Sequence, residues 1–319
     1  MLIIQHNQTN PYFNIAAEEY VLKQFSEDVF MLWRDEPSVI IGKHQNALAE
    51  INHQYVEQNN IPVVRRISGG GAVFHDLGNI NFTFIKTIIG EDLVDFKRFI
   101  DPIITVLQNL GVDARQEGHN DIRINGLKCS GNAEHVFKNR VLHHGTILYS
   151  SDIDSLGVAL HSNEERFTGR AVKSRRSQVT NIISHLPVKM KINEFINVVY
   201  EHVFSVGKDV HYYQFTELEE LDIQKLADQK YKTWEWNYGY SPAYRYTNHF
   251  NELSCEIATH GGIITEAFIY NNITQTHYTL LEEKLKGVKH QNDEIRNVIN
   301  TISLETNHTL LNDYLKLFF

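Results

Sequence analysis

The chain has 319 residues, of which 42% are hydrophobic and 22% are charged. These values are ordinary for a globular protein, and this length predicts two domains of typical size. The composition excludes a disordered chain, a collagen-like protein and a disulfide scaffold. The 30 basic and 39 acidic residues give a net charge of −9, which argues against nucleic acid as a partner because phosphate backbones favour basic surfaces.

Two cysteines, Cys129 and Cys255, are far apart in sequence and lie in no spacing typical of a metal site. This pattern predicts a reduced protein. The first residues do not resemble a signal peptide, and no apolar stretch reaches the ~20 residues that span a bilayer. We therefore expect a cytoplasmic protein that does not act at a membrane.

Between residues 38 and 149, short apolar runs alternate with a few helical segments. One apolar face of helical spacing predicts a helix over 96–110 that ends at Gly111. Asn125-Gly126 predicts a tight hairpin, because both turn positions favour a positive φ. The predicted strands are 38–42, 62–66, 72–75, 80–85, 121–124, 127–129 and 141–149, with a short helix at 51–56.

The pattern changes after about residue 245. Segments 249–259 and 263–270 predict a hairpin around Gly261-Gly262, and a stripe of apolar residues from Ile295 to Ile302 predicts a helix. Strands joined by tight turns, with helices between others, indicate a mixed sheet. We therefore expect an α/β (α+β) protein with a large mixed β-sheet domain at 1–245 and a small α/β domain at 246–319.

The densest set of chemically functional residues is segment 65–79, which reads Arg-Arg-Ile-Ser-Gly-Gly-Gly-Ala-Val-Phe-His-Asp-Leu-Gly-Asn. Three successive glycines let the backbone approach a ligand without a Cβ in the way. Arg65 and Arg66 point to opposite faces if they lie in a strand, so one of them can offer its forked donors to a phosphate or carboxylate. A glycine-rich turn beside a solvated arginine pair is the alternative. The glycine spacing fits neither a Walker loop nor a dinucleotide fingerprint.

The second set is segment 120–133, in which Asp121 opens a strand and Lys128 lies on the return strand of the predicted hairpin. The hairpin could bring both side chains to one end of a site. A carboxylate there suits Mg²⁺ carried on nucleotide phosphates, and a lysine stabilises phosphate or carboxylate oxygens. An exposed hairpin with ordinary strand charges is the alternative.

Taken together, these segments resemble the lipoate–protein ligase A family from about residue 10 to residue 245. The resemblance depends on several motifs in the same order. They are Asn-x-Ala with Glu-Glu from Asn14, the segment from Arg65 to Asn79, Asn-Asp-Ile from Asn120, Lys-x-Ser-Gly-Asn-Ala from Lys128, His-His-Gly-Thr-Ile-Leu from His143, Val-Thr-Asn from Val179 and Trp-Glu-Trp-Asn-Tyr-Gly-Tyr-Ser-Pro from Trp234.

The resemblance implies a catalytic domain of the biotin/lipoate ligase type and a two-step reaction. Lipoate and ATP, with Mg²⁺, would give lipoyl-AMP and pyrophosphate, and the lipoyl group would then pass to a lysine of an acceptor protein. The implied acceptors are lipoyl-domain proteins, namely 2-oxoacid dehydrogenase E2 subunits and the glycine cleavage H protein. Adenylation is needed because a free carboxylate is a poor electrophile, and a site that joins two anions needs cationic groups.

The resemblance also implies roles for individual residues. Lys128 would be the catalytic residue that contacts the lipoate carboxyl group and the α-phosphate, and Arg66 would hold the anionic end of the ligand. Asp121 would lie at the metal, beside Asn120, and His144 would lie near the adenylate. Segment 166–181 matches a mobile loop of the family that closes over the adenylate, and a solvated basic loop is the alternative. The remaining implied ATP and lipoyl-AMP contacts are Ser68, Gly69, Gly70, Gly71, Ala72, Val73, Phe74 and Asn79.

The chain departs from the family pattern at His119, Leu127, Cys129 and Gln178, which affects the expected affinity for lipoate and the choice of acceptor. The main alternative is an ATP-independent octanoyl or lipoyl transferase of the same fold, which would use a cysteine thiolate. Cys129 is the one cysteine near the motifs, and strand alternation predicts that it points away from Lys128. A biotin–protein ligase fits the motifs poorly, and a non-catalytic lipoate-binding protein is a further alternative.

Overall fold

The computed structural model describes residues 1–88, 94–207, 209–306 and 311–319, without the side chains of 304–306 and 311–313. The chain divides into two compact units. The first unit comprises Met1–Lys43, Ile61–Val158 and Ser174–Lys232, and the second comprises His44–Asn60, Ala159–Lys173 and Thr233–Phe319. Among the described residues, no helix is both long enough and apolar enough to cross a membrane.

The strands are, in chain order, β1 (Leu2–Ile4), β2 (Val29–Trp33), β3 (Ser38–Ile41), β4 (Val63–Arg65), β5 (Val73–His75), β6 (Asn79–Thr87), β7 (Ala114–Glu117), β8 (Asp121–Ile124), β9 (Leu127–Phe137), β10 (Arg140–Leu148), β11 (Phe167–Gly169), β12 (His211–Tyr213), β13 (Tyr244–Phe250), β14 (Leu253–His260) and β15 (Ile263–Asn271).

The α-helices are α1 (Pro11–Gln24), α2 (Ala47–Glu50), α3 (His53–Gln58), α4 (Phe96–Asn109), α5 (Ile153–Ala159), α6 (Ile192–Val206), α7 (Glu217–Leu226), α8 (Thr279–Leu285), α9 (Asn292–Thr306) and α10 (Leu311–Leu317). Short 3₁₀ turns lie at Glu164–Arg166 and Ile182–Ser184, and π-helical turns lie at Ala227–Tyr231 and Glu235–Gly239.

The first unit is built on an eight-stranded mixed sheet in the order β12-β1-β2-β6-β10-β9-β8-β7. Strand β1 pairs in parallel with β2 and β12, and the other neighbours are antiparallel. A separate three-stranded sheet, β4-β3-β5, carries the glycine segment between β4 and β5. This architecture confirms the predicted large mixed sheet.

Helix α4 covers this sheet with the apolar face that the sequence predicts. Asp95 caps its start by accepting a hydrogen bond from the Arg98 amide at 3.3 Å. Phe99, Ile103 and Leu107 are buried in the core of the first unit. Their burial supplies most of the stabilisation of such a helix, since amphipathic packing contributes more than intrinsic propensity.

The second unit contains a four-stranded sheet, β11-β13-β14-β15, packed with α8, α9 and α10. The turn between β14 and β15 has positive φ at Gly261 and Gly262, as predicted. Ile295 and Ile302 of α9 are buried, which confirms the predicted apolar stripe. The single strand predicted at 249–259 is wrong, because Asn251 adopts a φ of 54° and ends β13 before β14 begins.

Several further features differ from the predictions, and β1, β2, α6 and α7 are among the elements that the sequence analysis did not locate. Helix α1 was not predicted, because its buried residues surround the helix and leave no single apolar stripe. The short helix predicted at 51–56 is instead the pair α2 and α3, which meet at Ile51. The predicted boundary at residue 245 falls inside β13, and the second unit also takes residues from two earlier segments. A functional division at 245 therefore stays a prediction.

Candidate active site

The two arginines before the glycines are both buried, with exposed fractions of 0% for Arg65 and 6% for Arg66. Arg65 donates from Nη1 to the carbonyl oxygens of Gly42 and Lys43, at 3.0 and 3.1 Å. Arg66 turns instead toward the segment that follows it. The alternative of a solvated arginine pair is therefore wrong, and the predicted divergence of the two side chains is confirmed.

The guanidinium group of Arg66 organises the glycine loop, which we define as residues 68–74. Its Nη2 donates to the carbonyl oxygens of Gly69 and Gly71 at 2.5 and 2.8 Å, and its Nε donates to Ser68 Oγ at 3.0 Å. Burial lowers the pKa of Arg66 to about 10, and the charge of Glu18 opposes this effect. These contacts tie Arg66 to the loop backbone, so its contact with the ligand stays a prediction.

Ser68 continues into a row of buried polar side chains. Its Oγ lies 2.6 Å from His144 Nε2, and His144 Nδ1 lies 2.9 Å from both carboxylate oxygens of Glu18. Thr83 donates to Glu18 Oε1 at 2.6 Å. The structure therefore brings the predicted residues Arg66, Ser68 and His144 together. Glu18 was not predicted, although the Glu-Glu pair at its position belongs to the family pattern.

Glycine is favoured at two positions of the loop for different structural reasons. Gly70 has a φ of 89°, and a Cβ there would lie 2.9 Å from Arg66 Nη2. A Cβ on Gly71 would lie 2.9 Å from Ser174 Oγ, which accepts a hydrogen bond from the Ala72 amide at 2.8 Å. Glycine is therefore required at position 70 by backbone conformation and at position 71 by close packing.

The β8–β9 hairpin brings Lys128 and Asp121 together, as predicted. Lys128 Nζ lies 2.7 Å from Asp121 Oδ1, and Arg123 Nη2 lies 2.9 Å from Asp121 Oδ2. The turn has positive φ at Asn125 and Gly126. Asp121 and Lys128 have side-chain exposures of only 15% and 26%. The alternative of an exposed hairpin with ordinary charges therefore fails for this pair.

A β-bulge changes which side chains of β9 lie on each face of this hairpin. Arg123 pairs with Lys128, but its neighbour Ile122 pairs with Ser130, so Cys129 is the extra residue. Beyond the bulge, a Cβ on Gly131 would lie 2.8 Å from Lys128 Cε and Nζ. Gly131 thus leaves space for the lysine side chain, and sequence reasoning missed this role.

The glycine loop and the side chain of Lys128 lie over the same face of β9, because Lys128 runs over Gly131 and the loop approaches Ala133, two residues further along the strand. A Cβ on Gly70 would lie 3.9 Å from the Cβ of Ala133, and Ala133 pairs with His144 on β10. Segment 174–180 joins the two regions, because Ser174 contacts the glycine loop and Lys128 exchanges backbone hydrogen bonds with Gln178 and Thr180, both at 2.9 Å. The closing motion predicted for 166–181 stays a prediction.

The other predicted contacts lie in three different places. Asn120 donates from Nδ2 to the carbonyl oxygen of Asn132 at 2.7 Å and so lies beside the hairpin. Val73 and Phe74 form β5 directly after the glycines. Asn79 is fully buried and donates to Asn81 at 2.9 Å, in a separate polar group. A ligand contact of each of these residues stays a prediction.

Cys129 is fully buried, and its thiol lies 3.4 Å from the carbonyl oxygen of Ile122. Burial raises the pKa of this thiol to about 12. It therefore points away from Lys128, as predicted. A neutral, buried thiol is a poor nucleophile, so the geometry gives no support to a cysteine-dependent transferase.

A metal ion in this region would need coordinating oxygens from a bound substrate as well as from the protein. Within the described residues, no group of three or more histidine, cysteine, aspartate and glutamate side chains could hold a metal ion. Asp121 offers one carboxylate, and both of its oxygens contact cationic side chains. Mg²⁺ commonly takes one or two carboxylates and completes its shell with phosphates and water, so a single aspartate fits a metal that arrives with a nucleotide.

A mixed sheet with a glycine loop beside a partly buried lysine–aspartate pair is an arrangement suited to binding anionic groups. The family model for the lipoyl protein ligase A/B catalytic domain matches residues 10–204. Lipoate–protein ligase 1 of Staphylococcus aureus is 37% identical over 314 residues, which cover 95% of this chain and 94% of that protein. Lipoate–protein ligase LplJ of Bacillus subtilis is 36% identical, with 96% and 95% covered. The chain belongs to the lipoate–protein ligase family.

Solved structures support the same assignment. A lipoate protein ligase from Thermoplasma acidophilum, solved with bound lipoic acid, has a TM-score of 0.64 and 28% identity, covering 74% of this chain and 98% of that one. The bipartite ligase of that organism, described with its E2 lipoyl domain, has a TM-score of 0.65 and 28% identity, covering 75% and 96%. A lipoate–protein ligase A bound with ATP has a TM-score of 0.63 and 27% identity, covering 75% and 98%.

Proposed function

We propose that the glycine loop and the β8–β9 hairpin together form the site of ATP-dependent lipoate activation and transfer. The observation that carries this proposal is their position on one face of β9, with Lys128 at one end and the backbone held by Arg66 at the other. The solved relatives that bind lipoic acid and ATP support both ligands for this chain.

In the first step, a carboxylate oxygen of lipoate attacks the α-phosphorus of ATP, and pyrophosphate leaves. Two anions must approach each other, so the ammonium group of Lys128 is placed to lower their repulsion and to stabilise the charge that develops on the phosphate. Asp121 orients Lys128 through the 2.7 Å ion pair. It is also the residue that would contact Mg²⁺, and the metal would supply further charge neutralisation on the phosphates.

In the second step, the neutral amine of an acceptor lysine attacks the lipoyl carbonyl carbon, and AMP leaves as the amide forms. Lys128 remains within reach of the same phosphate and stabilises the leaving group. The solved ligase described with an E2 lipoyl domain supports lipoyl-domain proteins as acceptors. We extend this proposal to E2 subunits of 2-oxoacid dehydrogenases and to the glycine cleavage H protein, and we retain the cytoplasm as the proposed location.

The first prediction tests Lys128. Replacement by alanine is expected to lower the rate of pyrophosphate release with lipoate and ATP by about 10²-fold or more, because a charge that acts in both steps is lost. Lys138→Ala is the matched control, since Lys138 lies in the β9–β10 turn at the far end of the strand.

Both variants are compared with the wild type by circular dichroism and thermal unfolding before the assay. Near-normal pyrophosphate release from folded Lys128→Ala protein would contradict the assignment. Transfer that proceeds without ATP would instead support a transferase. Omitting Mg²⁺ is expected to stop pyrophosphate release in the wild type, which tests the proposed metal.

A further inference from the structure

In the buried row Arg66–Ser68–His144–Glu18, each hydrogen bond is donated in the same direction, from Arg66 toward Glu18. Arginine can only donate hydrogen bonds, and an ionised carboxylate can only accept them. Arg66 Nε therefore donates to Ser68, whose hydroxyl hydrogen is free to donate to His144 Nε2 across 2.6 Å. His144 then carries its proton on Nδ1 and donates it to Glu18 at 2.9 Å. The network assigns this tautomer.

Glu18 is held from its other side as well. Thr83 donates its hydroxyl hydrogen to Glu18 Oε1 at 2.6 Å, and its oxygen accepts from Trp33 Nε1 at 2.9 Å. Glu18 and Thr83 have exposed fractions of 1% and 0%. A buried carboxylate that accepts from two elements, β6 and β10, has little freedom to reorient, so it can fix the direction of the whole row.

The serine–histidine–carboxylate spacing resembles a nucleophilic triad, but two observations argue against that chemistry. Arg66 donates to the serine oxygen, which occupies one of its two lone pairs and lowers its nucleophilicity. Ser68 also has an exposed fraction of only 1%. The row is therefore better suited to hold a structure than to form a covalent bond.

The structure assigns Glu18 as a positioning residue of the ligase reaction. Through His144 and Ser68 it helps to orient the Arg66 guanidinium, which donates to the carbonyl oxygens of Gly69 and Gly71 and, from Nη1, to that of Ile40 at 3.2 Å. The conformation of the glycine loop thus depends on a side chain from α1. This inference rests on the proposed role of the glycine loop in binding lipoate and ATP.

Glu18→Gln is the sharpest test, because it keeps the shape of the side chain and replaces one hydrogen-bond acceptor by a donor. Both carboxylate oxygens lie 2.9 Å from His144 Nδ1. An amide NH₂ at one of these positions would face an Nδ1 proton, so the other tautomer, with the proton on Nε2, becomes favoured. Ser68 Oγ would then accept from both His144 and Arg66, and its own hydroxyl hydrogen would lose its buried acceptor. The cost of that unpaired donor favours a reoriented Ser68, which disturbs its contact with Arg66.

The experiment combines NMR with kinetics on the full chain. Long-range ¹H–¹⁵N spectra, with the His144 signal assigned by its loss in His144→Gln, are expected to show the Nδ1–H tautomer in the wild type and the Nε2–H tautomer in Glu18→Gln. We expect kcat/KM for pyrophosphate release to fall on the order of 10-fold in Glu18→Gln, as for other small misplacements of a site.

Ser68→Ala is the second variant, because it is a small change that disconnects Arg66 and leaves the Glu18–His144 contact. It is expected to keep the Nδ1–H tautomer and to lose a similar factor in kcat/KM. The double variant is expected to lose no more than the larger single loss, since both act through one row. Intact-mass spectra of wild type incubated with lipoate and ATP should show no acyl adduct.

Glu19→Gln is the matched control. Glu19 is also buried on α1, but it contacts Lys23 and Lys230, at 2.5 and 2.6 Å, and the Tyr231 hydroxyl. It is expected to lower the unfolding temperature while the His144 tautomer and kcat/KM stay unchanged.

Four results would overturn the inference: an unchanged tautomer in Glu18→Gln, unchanged kinetics after a tautomer change, additive losses in the double variant, or an acyl adduct on Ser68. An equal loss of activity in Glu19→Gln would also count against it, because that would indicate general destabilisation. Absence of pyrophosphate release by the wild type would instead refute the proposed function, and the tautomer spectra would still report on the row.

Discussion

Gly69 and Gly70 are adjacent in sequence, yet the structure makes different demands on them. A Cβ on Gly69 would have no neighbouring atom within 4 Å. A Cβ on Gly70 would meet Arg66 Nη2 at 2.9 Å, and the φ of 89° is one that residues with side chains rarely adopt. A substitution at position 70 therefore tests whether the site needs this loop conformation, and the same substitution at position 69 is its control.

The prediction is that Gly70→Ala impairs the site and Gly69→Ala does not. At position 70 the substitution strains the backbone by about 1–3 kcal/mol and displaces the guanidinium that holds the loop. Isothermal titration calorimetry with lipoate should show a clear loss of affinity for Gly70→Ala and near-normal binding for Gly69→Ala. Equal binding by both variants would mean that the loop conformation does not matter for lipoate.

Where a motif is contiguous, the sequence identified residues that the fold brings to the candidate site, and their contacts with a ligand stay predictions. Arg66 and Lys128 were identified in this way, and the divergence of Arg65 from Arg66 followed from strand alternation. Glu18 and Gly131 were missed for a physical reason. Glu18 acts through a partner 126 positions away, and the role of Gly131 depends on where the side chain of Lys128 runs. Tertiary contacts of this kind leave no local pattern.

At the scale of elements, the pairing of β9 with β10 encloses a buried histidine and carboxyl group. His143 Nδ1 lies 2.8 Å from Glu134 Oε1, and the imidazole stacks on Phe99 of α4 with ring centroids 4.8 Å apart. Burial lowers the pKa of His143 to about 3, with a smaller contribution from His144. Burial, assisted by the charge of Asp95, raises the pKa of Glu134 to about 7.

These shifts predict a specific pH dependence for Glu134→Gln. Between pH 4.5 and 7 the folded state keeps a proton on Glu134 that the unfolded state releases, so this group's contribution to stability is lost as the pH rises. Glutamine is neutral at every pH and mimics the protonated form. Between pH 4.5 and pH 8, the free energy of unfolding of the variant should therefore rise relative to that of the wild type by on the order of 1–3 kcal/mol.

Urea unfolding of both proteins at several pH values measures this difference. The His143 contribution has the opposite sign, because its depressed pKa favours the folded state as the pH rises from about 3 to 6.5. Because His143 contacts Glu134 directly, the substitution can change this contribution as well, so the pKa of His143 is followed by NMR in both proteins. Parallel stability curves would show that Glu134 is ionised in the folded state.

Elements were predictable where periodicity and turn chemistry agreed. The β8–β9 hairpin followed from Asn125-Gly126, and α4 followed from one apolar face. Helix α1 was missed because it is buried on several sides, so its sequence shows no amphipathic period. The bulge at Cys129 also left no signal, since it is defined by the register of two strands rather than by either strand alone.

At the scale of the whole molecule, the second unit joins distant parts of the chain. The Ala47 amide donates to Ser241 Oγ at 3.2 Å, Asn292 donates to Glu57 at 2.6 Å, and His53 stacks on Phe319 at 4.1 Å. Sequence patterns located β15, α9 and the turn before β15. They could not show that 44–60 and 159–173 pack with this part of the chain, because no local pattern reports such contacts.

A chain that ends after Arg245 is predicted to lose the second unit. The cut falls inside β13 and removes the strands and helices that bury Tyr244, together with Asn292 and Phe319, which contact α3. Limited proteolysis should therefore find new cleavage at 44–60 and 159–173. The glycine loop and Lys128 belong to the first unit, so transfer from supplied lipoyl-AMP should survive if that unit remains folded. Protection of both segments from protease would contradict the prediction.

The discontinuous make-up of the second unit also has a consequence during synthesis. Residues 44–60 leave the ribosome well before residues 233–319 exist, and at about 5–20 residues per second the delay is roughly 13–50 s. During that time Leu48 and Ile51, which are buried in the finished protein, lack the partners that come from the end of the chain. The nascent protein therefore exposes an apolar segment that trigger-factor-like chaperones could cover, and slower translation would prolong its exposure.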